Sequence, residues 1–227
     1  MRTLTKDKNP FAALHRRLRP MSHCHLRFPL VSLLAVFTLC TGSLAGLAET
    51  YNSLNLTLIQ QKGNLSVSKE VDAPPISKAI ARNKVGFATL NSTSPNWSLQ
   101  LSPERPISLT VQHNQGNARL DLRSLKLKTL HVTQQDGILE IWLPKSSLVL
   151  TLDQQQVTTH LHLPKNVGVL VKIDQFSQGD LILFGKTIAT GTDSDDRYQS
   201  HNYATAKEKV VVHLTMIQGH LEIEEQS

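Results

Sequence analysis

The chain has 227 residues, a net charge of +6 and a pI of about 9.4, values that by themselves suggest a nucleic-acid-binding protein. The charge is unevenly distributed, however. Residues 1–48 hold seven of the 24 Lys and Arg residues and one of the 18 acidic residues, which leaves 17 of each in the remainder. Because the rest of the chain has no excess positive charge, it offers no net attraction to a phosphate backbone. We therefore expect no nucleic-acid partner.

Residues 1–48 have the pattern of an export signal. A basic segment precedes an uncharged apolar run that begins at Phe28, and small residues ending at Ala48 resemble a signal-peptidase site. Cleavage there would make Glu49 the new N-terminus. An uncleaved membrane anchor is the alternative, since residues 28–48 are long enough to span a bilayer. In either case the basic flank predicts that the rest lies outside the cytoplasm, in the periplasm, on the cell surface or secreted.

Two further features of this N-terminal segment affect the interpretation. Its basic part is unusually long, and Met21 lies just before the apolar run, which leaves open whether translation starts at Met21. Both cysteines, Cys24 and Cys40, also lie in this segment. A chain that begins at Glu49 would therefore have no disulfide, thiolate nucleophile or cysteine-based metal site.

Residues 49–227 are predicted to form one all-β repeat domain. Apolar and polar residues alternate in many short segments, which is the period-two pattern of half-buried strands, and no segment has a convincing amphipathic helical pattern. Clear examples are Leu54–Leu58, Leu139–Leu143, His160–Leu163 and Leu221–Ile223.

An internal repeat of roughly 21 residues organises these segments. Each unit has an alternating segment, a polar turn and a second alternating segment. The turn positions are Gly116, Gly137, Val157, Gly179 and Gly219. The first three intervals are 21, 20 and 22 residues and the last is 40, about two units, with residues 185–209 in place of the missing unit. Short strands at a fixed period cover one another's apolar rows, which predicts a β-solenoid-like stack with Gly at tight turns.

Several segments of the repeat resemble a known family. They are Trp97–Pro103 with Pro106, Leu120-Asp-Leu122, Gly137, Leu143-Pro144 and Leu163-Pro164. Together they resemble the adhesin ("toast-rack") domain family, which is related to the C-terminal domain of cell-wall-active antibiotic response membrane proteins. The resemblance covers about Leu54 to Glu224, although Gly is sparser here. It implies a right-handed β-solenoid-like stack outside the cytoplasm, and it supplies no catalytic residues because the members mostly lack a known activity.

Histidines on the predicted strands provide the alternative hypothesis, a periplasmic metal-binding protein or enzyme. His160 and His162 lie on one face of a strand, and further histidines lie in neighbouring units at His131, His213 and His220. Each alternates with apolar core positions and should face water, where histidine needs no ligand. We therefore expect no metal or cofactor. No segment has the G-x-S-x-G pattern of a nucleophile elbow, so the protein is predicted not to be an enzyme.

The outward residues of the second alternating segments form the candidate interaction face. Trp142, His162 and Phe184 each follow a turn position by five residues and share the same strand parity. Units stacked in register would align them in a row with about 5 Å between neighbours, with Glu140 beside His160. Clustered exposed aromatic residues are typical of interaction sites. These five residues are therefore the predicted interaction face.

Two outcomes are possible for this row. It can be open to water and bind a protein, a glycan or a second copy of the chain, or residues 185–209 can fold over it, with Tyr198 or Tyr203 completing a small outer core. The predicted function is a noncatalytic, envelope-associated, adhesin-like binding or scaffold module whose ligand the sequence does not specify. A membrane contact is expected only through an uncleaved N-terminal segment.

The export signal gives the first testable prediction. The mature protein should begin at Glu49 and be found outside the cytoplasmic membrane, because the site at Ala48 follows an apolar run with a basic flank. Mass spectrometry of the N-terminal peptide, after cell fractionation, is the measurement. A full-length chain in the cytosol would contradict the prediction.

Overall fold

Strands are the regular elements throughout the described residues, which confirms the predicted all-β fold. The computed structural model describes residues 52–69, 80–82 (backbone only), 85–191 and 196–226, so the predicted signal or anchor segment lies outside them. The strands are β1 (Ser53–Lys62), β2 (Asn64–Lys69), β3 (Ile80–Arg82), β4 (Val85–Ser92), β5 (Asn96–Leu101), β6 (Pro106–Gln115), β7 (Ala118–Asp121), β8 (Lys126–Trp142), β9 (Leu148–Leu163), β10 (Gly168–Leu183), β11 (Lys186–Thr190), β12 (Arg197–Gln199) and β13 (Lys209–Glu225). Within these ranges no helix has the length and apolar character needed to cross a membrane.

Each long strand must fold back on itself. Strand β8 has 17 residues and pairs in parallel with β9, from Thr129 opposite Val149 to Trp142 opposite His162. A straight strand of that length would measure about 56 Å, whereas the connection from β8 to β9, residues 143–147, can span at most about 18 Å. The chain can return to the start of the next unit only if β8 bends near its middle. Each unit therefore consists of a first arm, a bend and a second arm.

The bends lie at the predicted turn positions, and one further bend lies at Gly63. The glycines of the bends, Gly63, Gly116, Gly137, Gly179 and Gly219, all have positive φ angles, between 113° and 150°. A Cβ atom at Gly137 would also overlap the carbonyl oxygen of Gly116 in the neighbouring bend. Backbone conformation and close stacking thus both require glycine. Val157, which is buried and has no positive φ, takes this place in one unit, so its bend is of another type.

Buried polar side chains hold the inside of the bends. Three residues before the bend, successive units carry Gln60, His113, Gln134 and Gln154, each at most 2% exposed. The Gln134 Nε2 donates to the carbonyl oxygens of Gly116 and Asp136 at 3.0 and 3.2 Å. Although these turns look polar and solvated in the sequence, Gln60, His113 and Gln134 bond to backbone carbonyls inside the protein, and Gln154 Nε2 donates to the Thr159 hydroxyl at 2.6 Å.

The apolar residues of the two arms form one core. The predicted inward positions are buried in both arms; those in β8 and β9 are Leu130, Val132, Leu139, Ile141, Leu150, Leu152, Leu161 and Leu163, each at most 1% exposed. The inward parity changes from even to odd numbers across the bend of β8 because the chain turns over there. This confirms the repeat and the parity predicted from the alternation.

The order of the units in the stack differs from their order in the chain. The first arms follow the order β4, β1, β6, β8, β9, β13, β10. The expectation that successive units always stack on each other is therefore wrong at both ends. β1 lies between β4 and β6, and β13 lies between β9 and β10. Both terminal units consequently have partners on two sides, so that neither is an unpaired edge.

Residues 185–209 do not form a parallel unit. Their described part contributes two short strands, β11 and β12, that pair antiparallel with the second and the first arm of β10. This segment therefore lies along the edge of the stack that β10 would otherwise leave open. A unit that the repeat analysis missed, β4 with β5, lies at the other end and pairs in parallel with β1 and β2.

The bends predict a difference between two glycines. Gly137 has φ 113° and lies against Gly116, whereas Gly185 has φ 75° and no atom within 4 Å of the position that a Cβ would take. Gly137→Ala should lower the free energy of unfolding by about 3 kcal/mol or more through strain and steric overlap, and Gly185→Ala by about 1 kcal/mol. Urea denaturation of both variants is the measurement. Equal losses would show that the bends are not closely stacked.

Candidate interaction face

The outward residues of the second arms form two rows on one side of the stack, which we call the outer face. One row contains Arg119, Glu140, His160 and Glu222, and the other contains Asp121, Trp142, His162, Glu224 and Phe184. All five residues of the predicted interaction face lie on it, and Glu140 is opposite His160 as expected.

The predicted order of the aromatic row is wrong at one point. His162 does not neighbour Phe184, because β13 lies between β9 and β10 and places Glu224 between the two side chains. Phe184 lies at the edge, where its backbone N–H donates to the carbonyl of Ile223 at 2.8 Å. Glu224 therefore separates the stacked pair of Trp142 and His162 from Phe184, and the row is not continuously aromatic.

Trp142 is the centre of a stack of four side chains. The His162 ring lies parallel to the indole, with 4.5 Å between the ring centroids and an interplanar angle of 8°. Arg119 lies on β7, which pairs with β8 on the side away from β9. Its guanidinium carbon lies 4.5 Å from the indole centroid, a cation–π contact. The His162 Nδ1 is 2.8 Å from a carboxylate oxygen of Glu224. Both faces of the indole are thus covered by side chains of the same outer face.

Tyr198 and Tyr203 do not provide the cover that the sequence suggested for Trp142. Tyr198 lies in β12 opposite Val171 in the first arm of β10, where it packs against the core. Tyr203 lies against Gly168, with Lys209 Nζ 5.2 Å from its ring centroid. The described part of residues 185–209 approaches the outer face only at the Phe184 end.

The row that contains Arg119, Glu140, His160 and Glu222 is a ladder of charged pairs. Arg119 lies 3.8 Å from Glu140, and His160 Nδ1 lies 3.4 Å from Glu222. Beside this ladder, Arg123 donates to both carboxylate oxygens of Asp121, at 2.9 and 2.6 Å. These hydrogen bonds hold the pKa of Asp121 below its usual range. Exposed pairs of this kind contribute little to stability individually, but they fix the positions of the charged groups.

A cavity of about 510 Å³ opens at the Phe184 end of the outer face. Its lining is Phe184, Gly185, His201, Asn202, Glu222, Glu224 and Glu225. Phe184 is 38% exposed and has a φ of 51°, which is unusual for a residue other than glycine. The structure thus places an exposed aromatic ring beside three glutamates of β13.

The remaining candidate histidines each face one carboxylate on a neighbouring strand. The pairs are His131 with Asp153 at 2.7 Å, His213 with Asp174 at 3.5 Å and His220 with Asp180 at 3.8 Å. Among the described residues no group of three or more His, Cys, Asp or Glu side chains could hold a metal ion. These histidines can be identified from the sequence but their partners cannot, because the sequence does not specify the stacking order of the strands that carry them.

Comparisons with known proteins agree with this fold. Residues 54–153 match the family model described as the N-terminal domain of toast_rack, DUF2154. The fold is similar to that of a "putative cell adhesion protein" from Clostridium sporogenes ATCC 15579, with a TM-score of 0.65 and 17% sequence identity over 78% of this chain and 94% of that chain. At that identity the likeness shows the fold alone. A search of curated proteins gave no match.

The side-chain stack predicts how the environment of Trp142 responds to substitution. In a Trp97→Phe background, Arg119→Ala should increase acrylamide quenching of the remaining indole, because it uncovers one ring face. Arg123→Ala, which removes a nearby arginine that pairs with Asp121, is the control and should leave quenching unchanged. If Tyr198→Ala raises quenching while Arg119→Ala does not, a cover by residues 185–209 would replace the stack as the explanation.

Proposed function

We propose that this chain, whose residues 54–153 match the toast-rack family model, is a noncatalytic binding or scaffold module of the cell envelope. In this proposal the mature protein acts outside the cytoplasm and binds a partner through the outer face. The N-terminal export pattern supports the location, and the similar structure described as a "putative cell adhesion protein" supports an adhesin-like role.

The stack of Arg119, Trp142, His162 and Glu224 is the observation that carries the proposal. Each side chain is held by its neighbour on the next strand, and the strands are fixed by their backbone ladders and by the glycine bends. A partner that binds such a preformed surface loses little entropy in ordering it. A tryptophan supplies large contact area at low entropic cost, which is why it is enriched at interaction sites.

The covered faces of Trp142 favour a protein partner over a glycan. A sugar ring that stacks on an aromatic residue needs a free ring face, and here both faces are occupied by Arg119 and His162. The edge of the indole and the charged ends of its neighbours remain to make contacts. Such a mixture of aromatic and charged groups is typical of protein–protein interfaces.

The outer face also supports a noncatalytic role. Its charged groups are arranged as pairs along an open sheet surface, Arg119 with Glu140 and His160 with Glu222. Catalytic sites instead bring a nucleophile or base and stabilising donors together around one reacting atom. No observation on the described residues favours the alternative of a metal-binding protein or enzyme.

Binding to the producing cell tests the proposal. A fluorescently labelled mature protein should bind the envelope of cells that lack the gene, and Trp142→Ala should weaken this binding about tenfold, as expected for an interface aromatic residue. Phe87→Ala, which changes an aromatic residue 43% exposed outside the outer face, is the matched control and should bind as the wild type does. Equal binding by both variants would refute the assignment of the outer face.

A further inference from the structure

We propose that the cavity at the Phe184 end of the outer face is a docking site for a lysine or arginine side chain of a partner protein. This inference rests on the proposed function and adds the chemistry of the partner to it. The cavity is continuous with the row of Trp142 and His162, so a bound segment can extend along that row while one of its side chains enters the cavity.

The lining of the cavity determines the charge of the group that it accepts. Three of the seven lining residues are glutamates, namely Glu222, Glu224 and Glu225, and no lysine or arginine is among the described residues that line it. All three come from the end of β13. Negative charge from one strand is therefore concentrated at one end of the outer face, and a basic segment complements it.

Phe184 gives the cavity a second feature that suits a cation. Its ring is 38% exposed and lies at the cavity, although an exposed phenylalanine gains little from contact with water. The face of an aromatic ring attracts ammonium and guanidinium groups, and the apolar stem of a lysine or arginine packs against it. The carboxylates thus match the charged end of a lysine or arginine side chain, and the aromatic ring matches its apolar stem.

A partner protein fits this cavity better than a membrane surface does. Anionic lipid headgroups would be repelled by Glu222, Glu224 and Glu225, and the open cavity adjoins a flat sheet face of paired strands instead of enclosing a small ligand. An extended peptide segment can place a basic side chain in the cavity while the rest of it lies along the outer face.

Binding of labelled octalysine, measured by fluorescence anisotropy with the mature protein at pH 7.5, is the direct test. Glu224→Gln with Glu225→Gln, and separately Phe184→Ala, should each weaken binding about fivefold or more. The matched controls are Asp153→Asn, an acid that pairs with a histidine on the first arms, and Phe87→Ala. Both controls should stay within about twofold of the wild type.

Several results would overturn the inference. Equal weakening by Asp153→Asn and by the glutamate variants would mean general charge attraction instead of a site. Binding of N-acetyl-lysine methylamide as strong as that of octalysine would mean a small-cation site instead of a protein docking site. Absence of octalysine binding, with Trp142→Ala still weakening envelope binding, would reject the cavity and leave the proposed function standing.

Thermal unfolding of every variant shows whether a loss of octalysine binding reflects unfolding of the protein instead of loss of the site.

Discussion

The fold-back of each strand at its bend is the constraint on which the structure depends. Parallel neighbours in register force the chain to return to the same end of the stack after every unit, and connections as short as residues 143–147 leave no other route than a reversal within the strand. At the bend, the backbone of Gly137 lies against that of Gly116, and Gln134 bonds to the carbonyls around both. The bends therefore fix the register that aligns the side chains of the outer face.

Much of this architecture could be predicted from the sequence, because the repeat leaves two local signals. Alternation at period two identifies the inward residues, such as Leu139 and Leu161, and glycine at a spacing near 21 residues identifies the bends. The buried Gln60, His113, Gln134 and Gln154 could not be recognised as interior, since glutamine next to a turn is normally solvated. Their burial depends on hydrogen-bond partners inside the bends, backbone carbonyls for the first three and the Thr159 hydroxyl for Gln154, that become visible only in the folded stack.

The stacking order could not be predicted from the sequence, because every unit presents nearly the same apolar rows to its neighbours. Exchanging the order of β10 and β13 conserves the parity of all inward residues, so alternation cannot distinguish the two arrangements. The need to pair the exposed edge of the sheet provides a physical reason for the observed order, in which β13 lies between β9 and β10. β10 has the short strands β11 and β12 to pair with its outer side, whereas β13 gains a partner on each side by lying between β9 and β10.

The position of β13 also determines the chemistry of the candidate site. With the units in chain order, His162 would have lain next to Phe184, and the row would have been an aromatic strip with the glutamates of β13 beyond it. The observed order places Glu222 and Glu224 beside His160 and His162, and thereby puts an acidic residue between His162 and Phe184. The five face residues were identifiable one at a time from parity, but their charge environment was not. It arises from residues about 60 positions away in the chain that the topology places next to the histidines.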